Sequence, residues 1–267
     1  MQEEAETSPR PDATEGVDAL LDVDSVTKRY RKLVAVDEFS MRVAPGELVG
    51  LIGPNGAGKS TLMGCIAGTL AIDGGSIRVG DTDVSDAPVD ARRHVGFVSQ
   101  HLQLYDYLTG QEFLEFVAEV RGVPADRAAS RIEELLAATE LAEARNRLVK
   151  EYSGGMARKL AVSSSLLGPP DLLLLDESFV GLDPESAYHI RRELRNFREN
   201  GGAIVLSSHS LEMLREISTR VVIMADGRLC RDMTSSDIDA AIDSGEFDNL
   251  TEIYLDATGK APASLEN

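Results

Sequence analysis

Gly53-Pro54-Asn55-Gly56-Ala57-Gly58-Lys59-Ser60 gathers three glycines, a lysine and a hydroxyl within eight residues. The apolar run Leu48–Ile52 precedes it, and a helical stretch starts near Lys59. Glycines at this spacing let backbone amides turn inward, and the helix behind aims the positive end of its dipole at the same point. That chemistry wraps phosphate oxygens. Lys59 would reach the β and γ phosphates of a nucleotide, and Ser60 would place its hydroxyl on Mg2+, with Thr61 beside it in the binding set.

A second group suits the same task. Leu172-Leu173-Leu174-Leu175 has no polar alternation, the pattern of a strand buried on both faces, and it ends in Asp176-Glu177. Asp176, at the end of such a strand, can hold the metal through water. Glu177, one residue on, can face the γ-phosphate and orient or deprotonate the attacking water. In isolation the pair could be two solvated acids ending a strand; beside a phosphate loop it points to hydrolysis.

Tyr152-Ser153-Gly154-Gly155-Met156 lies just upstream of that strand. A serine and two glycines opening a helix make a second anion site. With this motif the chain resembles the nucleotide-binding subunit of an ABC transporter over roughly residues 22–231. The resemblance implies that Ser153, Gly154 and Gly155 cap the γ-phosphate bound by an opposite protomer, so that ATP is buried between two chains. It implies that Tyr30 stacks on adenine and that Gln100 touches Mg2+ and the attacking water. It also implies that Gly181-Leu182-Asp183 runs along the dimer interface, with Asp183 among the nucleotide-binding residues, and that His209 contacts the γ-phosphate. The expected catalytic set is then Glu177, His209 and Gln100. The expected nucleotide set is Tyr30, Gly53, Pro54, Asn55, Gly56, Ala57, Gly58, Lys59, Ser60, Thr61, Ser153, Gly154, Gly155 and Asp183. Mg2+ would be held by Ser60, Gln100 and Asp176. Tyr152 and Met156 stand where the family more often shows Leu and Gln, and Ser178 where it shows Pro; none of these removes a phosphate ligand. The signature, the helix Tyr107–Gly122 and the ending Leu250–Gly259 resemble the ABC-2, drug-efflux type of branch.

These residues need elements to hold them. Strand-like runs recur at Val23–Tyr30, Ser40–Val43, Leu48–Ile52, Ser76–Val79, His94–Val98, Leu172–Leu175 and Ala203–Leu206. Val221–Met224, Asp226-Gly227 and Arg228–Cys230 read as a hairpin. Thr109-Gly-Gln-Glu112 fits a capping box, and Phe113, Phe116, Val117 and Val120 behind it form one apolar helix face, expected to pack. Ile132, Leu135 and Leu136 repeat the spacing, and Asp183-Pro184 starts another helix. Alternating strands and helices predict an α/β fold. In full, the expectation is a P-loop NTPase core with a mostly parallel sheet, an antiparallel β subdomain, and a helical subdomain inserted at about 101–165.

The chain has 267 residues and a formal net charge of −18. Residues 1–24 carry eight acids and one base, and residues 232–267 carry nine acids and one base. The body is therefore nearly balanced, which argues against a nucleic-acid surface. The expected layout is a disordered acidic leader at 1–21, the ATPase domain at 22–231, and an acidic, solvated extension at 232–267. Arginine (21) far outnumbers lysine (6), which suits a high-salt habitat, although the balanced body weighs against one. Two cysteines and four scattered histidines give neither a disulfide framework nor a metal motif. The acidic N-terminus has no signal-peptide pattern, and no apolar run approaches the ~20 residues of a membrane span. The expectation is an ATP-hydrolysing subunit at the cytoplasmic face of the cell membrane, powering a separate permease, more in keeping with export. It would work with a second copy of itself or a paralogous ATPase. The alternative is a soluble ABC-type ATPase with a non-transport role such as cluster assembly.

Overall fold

A computed structural model describes residues 19–259. The strands are β1 (Leu21–Tyr30), β2 (Leu33–Val43), β3 (Leu48–Ile52), β4 (Gly74–Val79), β5 (Thr82–Asp83), β6 (Val95–Val98), β7 (Leu172–Asp176), β8 (Ala203–Ser207), β9 (Arg220–Ala225) and β10 (Arg228–Thr234). The helices are α1 (Lys59–Ile66), α2 (Pro88–His94), α3 (Gly110–Val120), α4 (Ala125–Ala138), α5 (Gly154–Ser165), α6 (Pro184–Glu199), α7 (Leu211–Ile217), α8 (Ser235–Asp243) and α9 (Leu250–Ala257).

Two sheets form. One is antiparallel, in the order β2-β1-β4-β5; the other runs β10-β9-β3-β8-β7-β6 and is parallel except for the β10 edge. Every residue of β3, β7 and β8 is buried. Side chains alternate across a strand, so each of these strands feeds two cores. Val49, Leu51, Leu172, Leu174, Val205 and Val222 face the core shared with the antiparallel sheet and α1. Leu48, Ile52, Leu173, Leu175, Leu206 and Ile223 face the core shared with α3 to α9. The α/β architecture expected from the sequence is the one observed.

The helical insertion opens with the expected capping box. Glu112 N donates to Thr109 Oγ1 at 3.2 Å, and Thr109 N donates to Glu112 Oε2 at 2.8 Å. The packed face differs from the reading of the sequence. Phe113, Leu114 and Ala118 are buried, whereas Phe116 is 40% and Val120 70% exposed. The buried stripe follows positions 113, 114, 117 and 118, and the 116/120 edge lies outside it.

Three further readings change. His94 ends α2 and does not open β6. The leader expected over 1–21 lies outside the described residues up to position 18, but its last residue, Leu21, opens β1 and is fully buried. The extension is also folded, at least as far as residue 259: α8 and α9 bury Ile238, Leu250 and Ile253 in the main core. Its acids do not simply repel one another. Asp232 pairs with Arg220, Asp239 with Arg215, and Asp256 with Arg231 at 2.9 Å, while Asp237 closes a capping box with Thr234. Among the described residues, no helix is long and apolar enough to cross a membrane.

Candidate functional site

The phosphate loop joins β3 to α1, and its shape depends on absent side chains. A Cβ at Gly53 would lie 2.1 Å from Met224 O on β9. A Cβ at Gly58, whose φ is 102°, would lie 2.1 Å from Ala35 O on β2. Gly58 is also the N-cap of α1 and offers no side chain to cap it. The first i→i−4 bond of the helix is Leu62 N to Gly58 O, so the amides of Lys59, Ser60 and Thr61 precede the ladder and point out of the helix start. Ala57 differs from its neighbours. Its amide is committed to Pro54 O at 3.1 Å and its methyl is buried. Asn55, Gly56 and Ser60 are exposed, and Pro54 and Thr61 half-buried.

Lys59 folds back over the loop. Its Nζ donates to Gly53 O at 2.7 Å and to Pro54 O at 3.2 Å. Burial pushes its pKa down, against the opposing pull of Glu177 and Asp176. A buried ammonium satisfied by two carbonyls, beside outward-facing amides, is a fitting partner for an anion.

The acids follow from strand register. Asp176 pairs with Ser207 across β7 and β8, and Ser207 Oγ donates to Asp176 Oδ1 at 2.6 Å. Asp176 is buried and near the lysine, and Glu177 follows it in the chain, a carboxylate pair that suits a divalent cation. Glu177 leaves the strand with φ at 50°. Three bonds hold that turn: Glu177 N donates to Ser207 O at 3.2 Å and to Ser207 Oγ at 3.0 Å, and Arg158 Nη1 donates to Glu177 O at 2.7 Å. The carboxylate then meets two expected partners. Gln100 Nε2 donates to Oε2 at 3.0 Å, and His209 Nε2 lies 2.7 Å from Oε1. Gln100, Glu177 and His209, far apart in sequence, thus form one cluster next to Lys59 and Asp176.

The other expected residues form a separate group. Ser153 caps α5, its Oγ accepting from Met156 N at 3.2 Å. Asp183 caps α6, accepting from Ser186 N at 2.9 Å and from Ser186 Oγ at 2.6 Å. These bonds hold the Asp183 carboxyl below the usual range. A Cβ on Gly155 would lie 3.6 Å from Asp183 Oδ2, so the two caps adjoin. Gly154 is exposed and has open space beside it. Among the described residues, no hydrogen bond or ion pair joins this group to Lys59 or to the Glu177 side chain. Tyr30 stands exposed at the tip of the β1–β2 hairpin, opposite Leu33, with Lys28 Nζ 5.5 Å from its ring centre.

The unusual residues also have places. Tyr152 Oη donates to Ala144 O at 2.9 Å, and its ring passes so close to Gly110 that a Cβ there would lie 2.0 Å from the hydroxyl. Ser178 is fully buried, with no hydrogen-bond partner for its Oγ. Reading the sequence missed Ser207 and Arg158. The hint for Ser207 was a hydroxyl ending the apolar run Ala203–Leu206, at the same edge as Asp176; Arg158 gave none.

The family described as ABC transporter matches residues 36–180. The daunorubicin/doxorubicin resistance ATP-binding protein DrrA of Streptomyces peucetius is 34% identical over 244 residues, spanning 91% of this chain and 73% of that protein. A solved ATP-binding subunit of an ABC transporter shares the fold with a TM-score of 0.83 at 28% identity, over 89% of this chain and 99% of that one. The ATP-binding cassette MJ0796, solved as a dimer in a post-hydrolysis state bound to ADP and Pi, gives a TM-score of 0.75 at 25% identity, over 80% and 98% of the two chains. With a phosphate loop facing two carboxylates inside this fold, one assignment follows: the chain belongs to the ATP-binding proteins of ABC transporters and is an ATPase.

Proposed function

We propose that this chain powers an exporter from the cytoplasmic face of the membrane, docked on a separate permease, and that two ATP-binding chains close over two ATP molecules. The observation that carries the reading is the division of the expected nucleotide-site residues into two sets. Lys59, Asp176 and Glu177 form one, and Ser153, Gly155 and Asp183 form the other, and among the described residues no hydrogen bond or ion pair joins the two sets. The drug-resistance name of the Streptomyces relative supports export.

In the closed pair, Lys59 and the first amides of α1 bind the β and γ phosphates, and Ser153 and Gly155 of the facing chain cap the γ-phosphate. Tyr30 covers the adenine from the hairpin tip. Mg2+, held by Ser60, Gln100 and Asp176, would supply positive charge to the phosphate oxygens. Glu177 accepts a proton from water as the water oxygen bonds to the γ-phosphorus and the bond to the bridging oxygen breaks, releasing ADP. Both oxygens of Glu177 are now held, by Gln100 and His209. Each oxygen keeps a second lone pair, so a water can donate to Glu177 with both partners in place.

The decisive experiment is light scattering on Glu177→Gln with ATP and Mg2+. A nucleotide-dependent dimer that no longer hydrolyses ATP is expected, and Lys59→Ala should abolish both nucleotide binding and the dimer. Rapid turnover by Glu177→Gln would overturn the assignment of Glu177.

Docking falls to the helical insertion. Tyr105 meets Phe116 edge-on, with ring centres 5.2 Å apart, and Tyr107 and Val120 are exposed nearby in sequence. This apolar surface adjoins the segment leading from Gln100, so a permease segment seated there would touch the element that holds Glu177. Phe116→Asp should leave the ATPase activity of the isolated chain unchanged and abolish its recovery with permease-containing membranes.

A further inference from the structure

A cavity of about 660 Å³ opens between the α3–α4 turn and the core, bordered by the residues just before β7 and β8. Those strands run parallel to β3, whose far end carries the phosphate loop, so the cavity lies at the opposite end of the sheet. We propose that it binds an organic phosphate: a phosphate head on an aromatic or aliphatic body. Its volume is in the range of sites for small molecules and far exceeds what a bare ion fills.

The head group is read from three arginines. Arg121, Arg127 and Arg131 line the cavity, the last two one helical turn apart on α4. Arg121 Nη2 donates to Val95 O at 3.2 Å, but Nη1 is buried with no partner. A buried, unsatisfied guanidinium nitrogen costs free energy. Nη1 exposes no surface as placed, so a ligand oxygen would offset that cost only once the Arg121 side chain turns toward the cavity. Burial also lowers the pKa of this group, as expected for a cation lacking a counter-charge. Neither Arg121 nor Arg127 forms an ion pair among the described residues. Arg131 reaches only Glu134 on its own helix, at 3.0 Å and in solvent, a contact weak enough to be re-aimed. The carboxylate in the lining, Asp171, is held by His94 Nδ1 at 2.6 Å.

The body is read from the walls. A Cβ on Gly168 would lie 2.8 Å from Arg121 Cδ, and a Cβ on Gly202 would lie 2.3 Å from the Phe197 ring. Both glycines let a flat group lie against the backbone, and this brings a guanidinium stem and an aromatic ring into one cavity. Arginine and an aromatic ring together suit a ligand that is charged at one end and apolar at the other.

The test is calorimetric titration of phenylphosphonate and of inorganic phosphate into the full chain carrying Lys59→Ala, which removes the phosphate loop as a competing site. One saturable phenylphosphonate site per chain is expected, with inorganic phosphate at least tenfold weaker. Arg127→Ser/Arg131→Ser should weaken phenylphosphonate at least tenfold, and so should Arg121→Lys, which keeps a charge but loses the planar fork. Arg31→Ser, on the β1–β2 hairpin, should change nothing. Thermal unfolding of each variant confirms that it is folded before titration. The proposal is overturned if no saturable site exists, if binding survives the arginine variants, or if bare phosphate binds as tightly as phenylphosphonate.

Discussion

Glu177 occupies left-handed backbone, a region that costs a non-glycine residue on the order of 1 kcal/mol. Ser207 and Arg158 hold it there, which links a serine outside the expected nucleotide set to the proposed hydrolytic residue. Ser207→Ala removes the bond to Asp176 Oδ1 and the side-chain bond from Glu177 N, while the backbone bond from Glu177 N to Ser207 O remains. At about 1 kcal/mol for each net hydrogen bond, kcat should fall about tenfold or more with KM for ATP little changed, as read by steady-state kinetics. The two thiols should separate just as clearly. Cys65 is buried, and burial raises its pKa to about 11, while Cys230 is exposed. Maleimide labelling of the native chain at neutral pH should modify Cys230 alone, with Cys65 reacting only after unfolding. The phosphate loop and the two acids were legible at this scale because their chemistry is local. Ser207 and Arg158 were not, because their importance comes from strand register and from a helix that packs across the site.

At the scale of elements, helix caps tie the site to pH. Ser186 holds the Asp183 carboxyl below its ordinary range. A lowered folded-state pKa contributes stability above the unfolded value, and that contribution is lost as pH falls through the folded value. Asp183→Asn should therefore be less stable than the parent at neutral pH and converge with it as the pH falls below the ordinary aspartate range, as followed by urea unfolding across pH. The signature motif has a comparable anchor. Tyr152 reaches from the start of α5 to Ala144 O while passing over Gly110. Tyr152→Phe should cost about 1 kcal/mol in urea unfolding, and Gly110→Ala should cost more because its methyl meets the phenol. Sequence periodicity found α3 and its capping box, but it assigned Phe116 and Val120 to the packed face. Periodicity fixes which residues share a stripe; which stripe is covered depends on where α4 and α5 lie.

For the whole molecule, charge was the misleading signal. Nine acids in residues 232–267 suggested a solvated tail, yet α8 and α9 carry Ile238, Leu250 and Ile253 into the core. Composition averages over a segment, whereas burial depends on a few side chains at helical spacing, Ile238 with Ala241 on α8 and Leu250 with Ile253 on α9, with the acids used as caps and ion-pair partners. Leu250→Ala should destabilise the chain by about 2–5 kcal/mol in urea unfolding, a cost that a solvated tail would not show. The central place of β3 has a further consequence, for the order in which the chain can be made. β3 ends at residue 52, but its two neighbours are β8, from Ala203, and β9, to Ala225. At about 5–20 residues per second, a ribosome needs about 8–30 seconds to add the stretch between β3 and β8. Throughout that interval the strand that carries the phosphate loop has no partner on either side. A chain stalled short of β8 would hold the whole nucleotide motif and still have no platform to bind ATP, so it would present its most apolar strands to whatever meets it first.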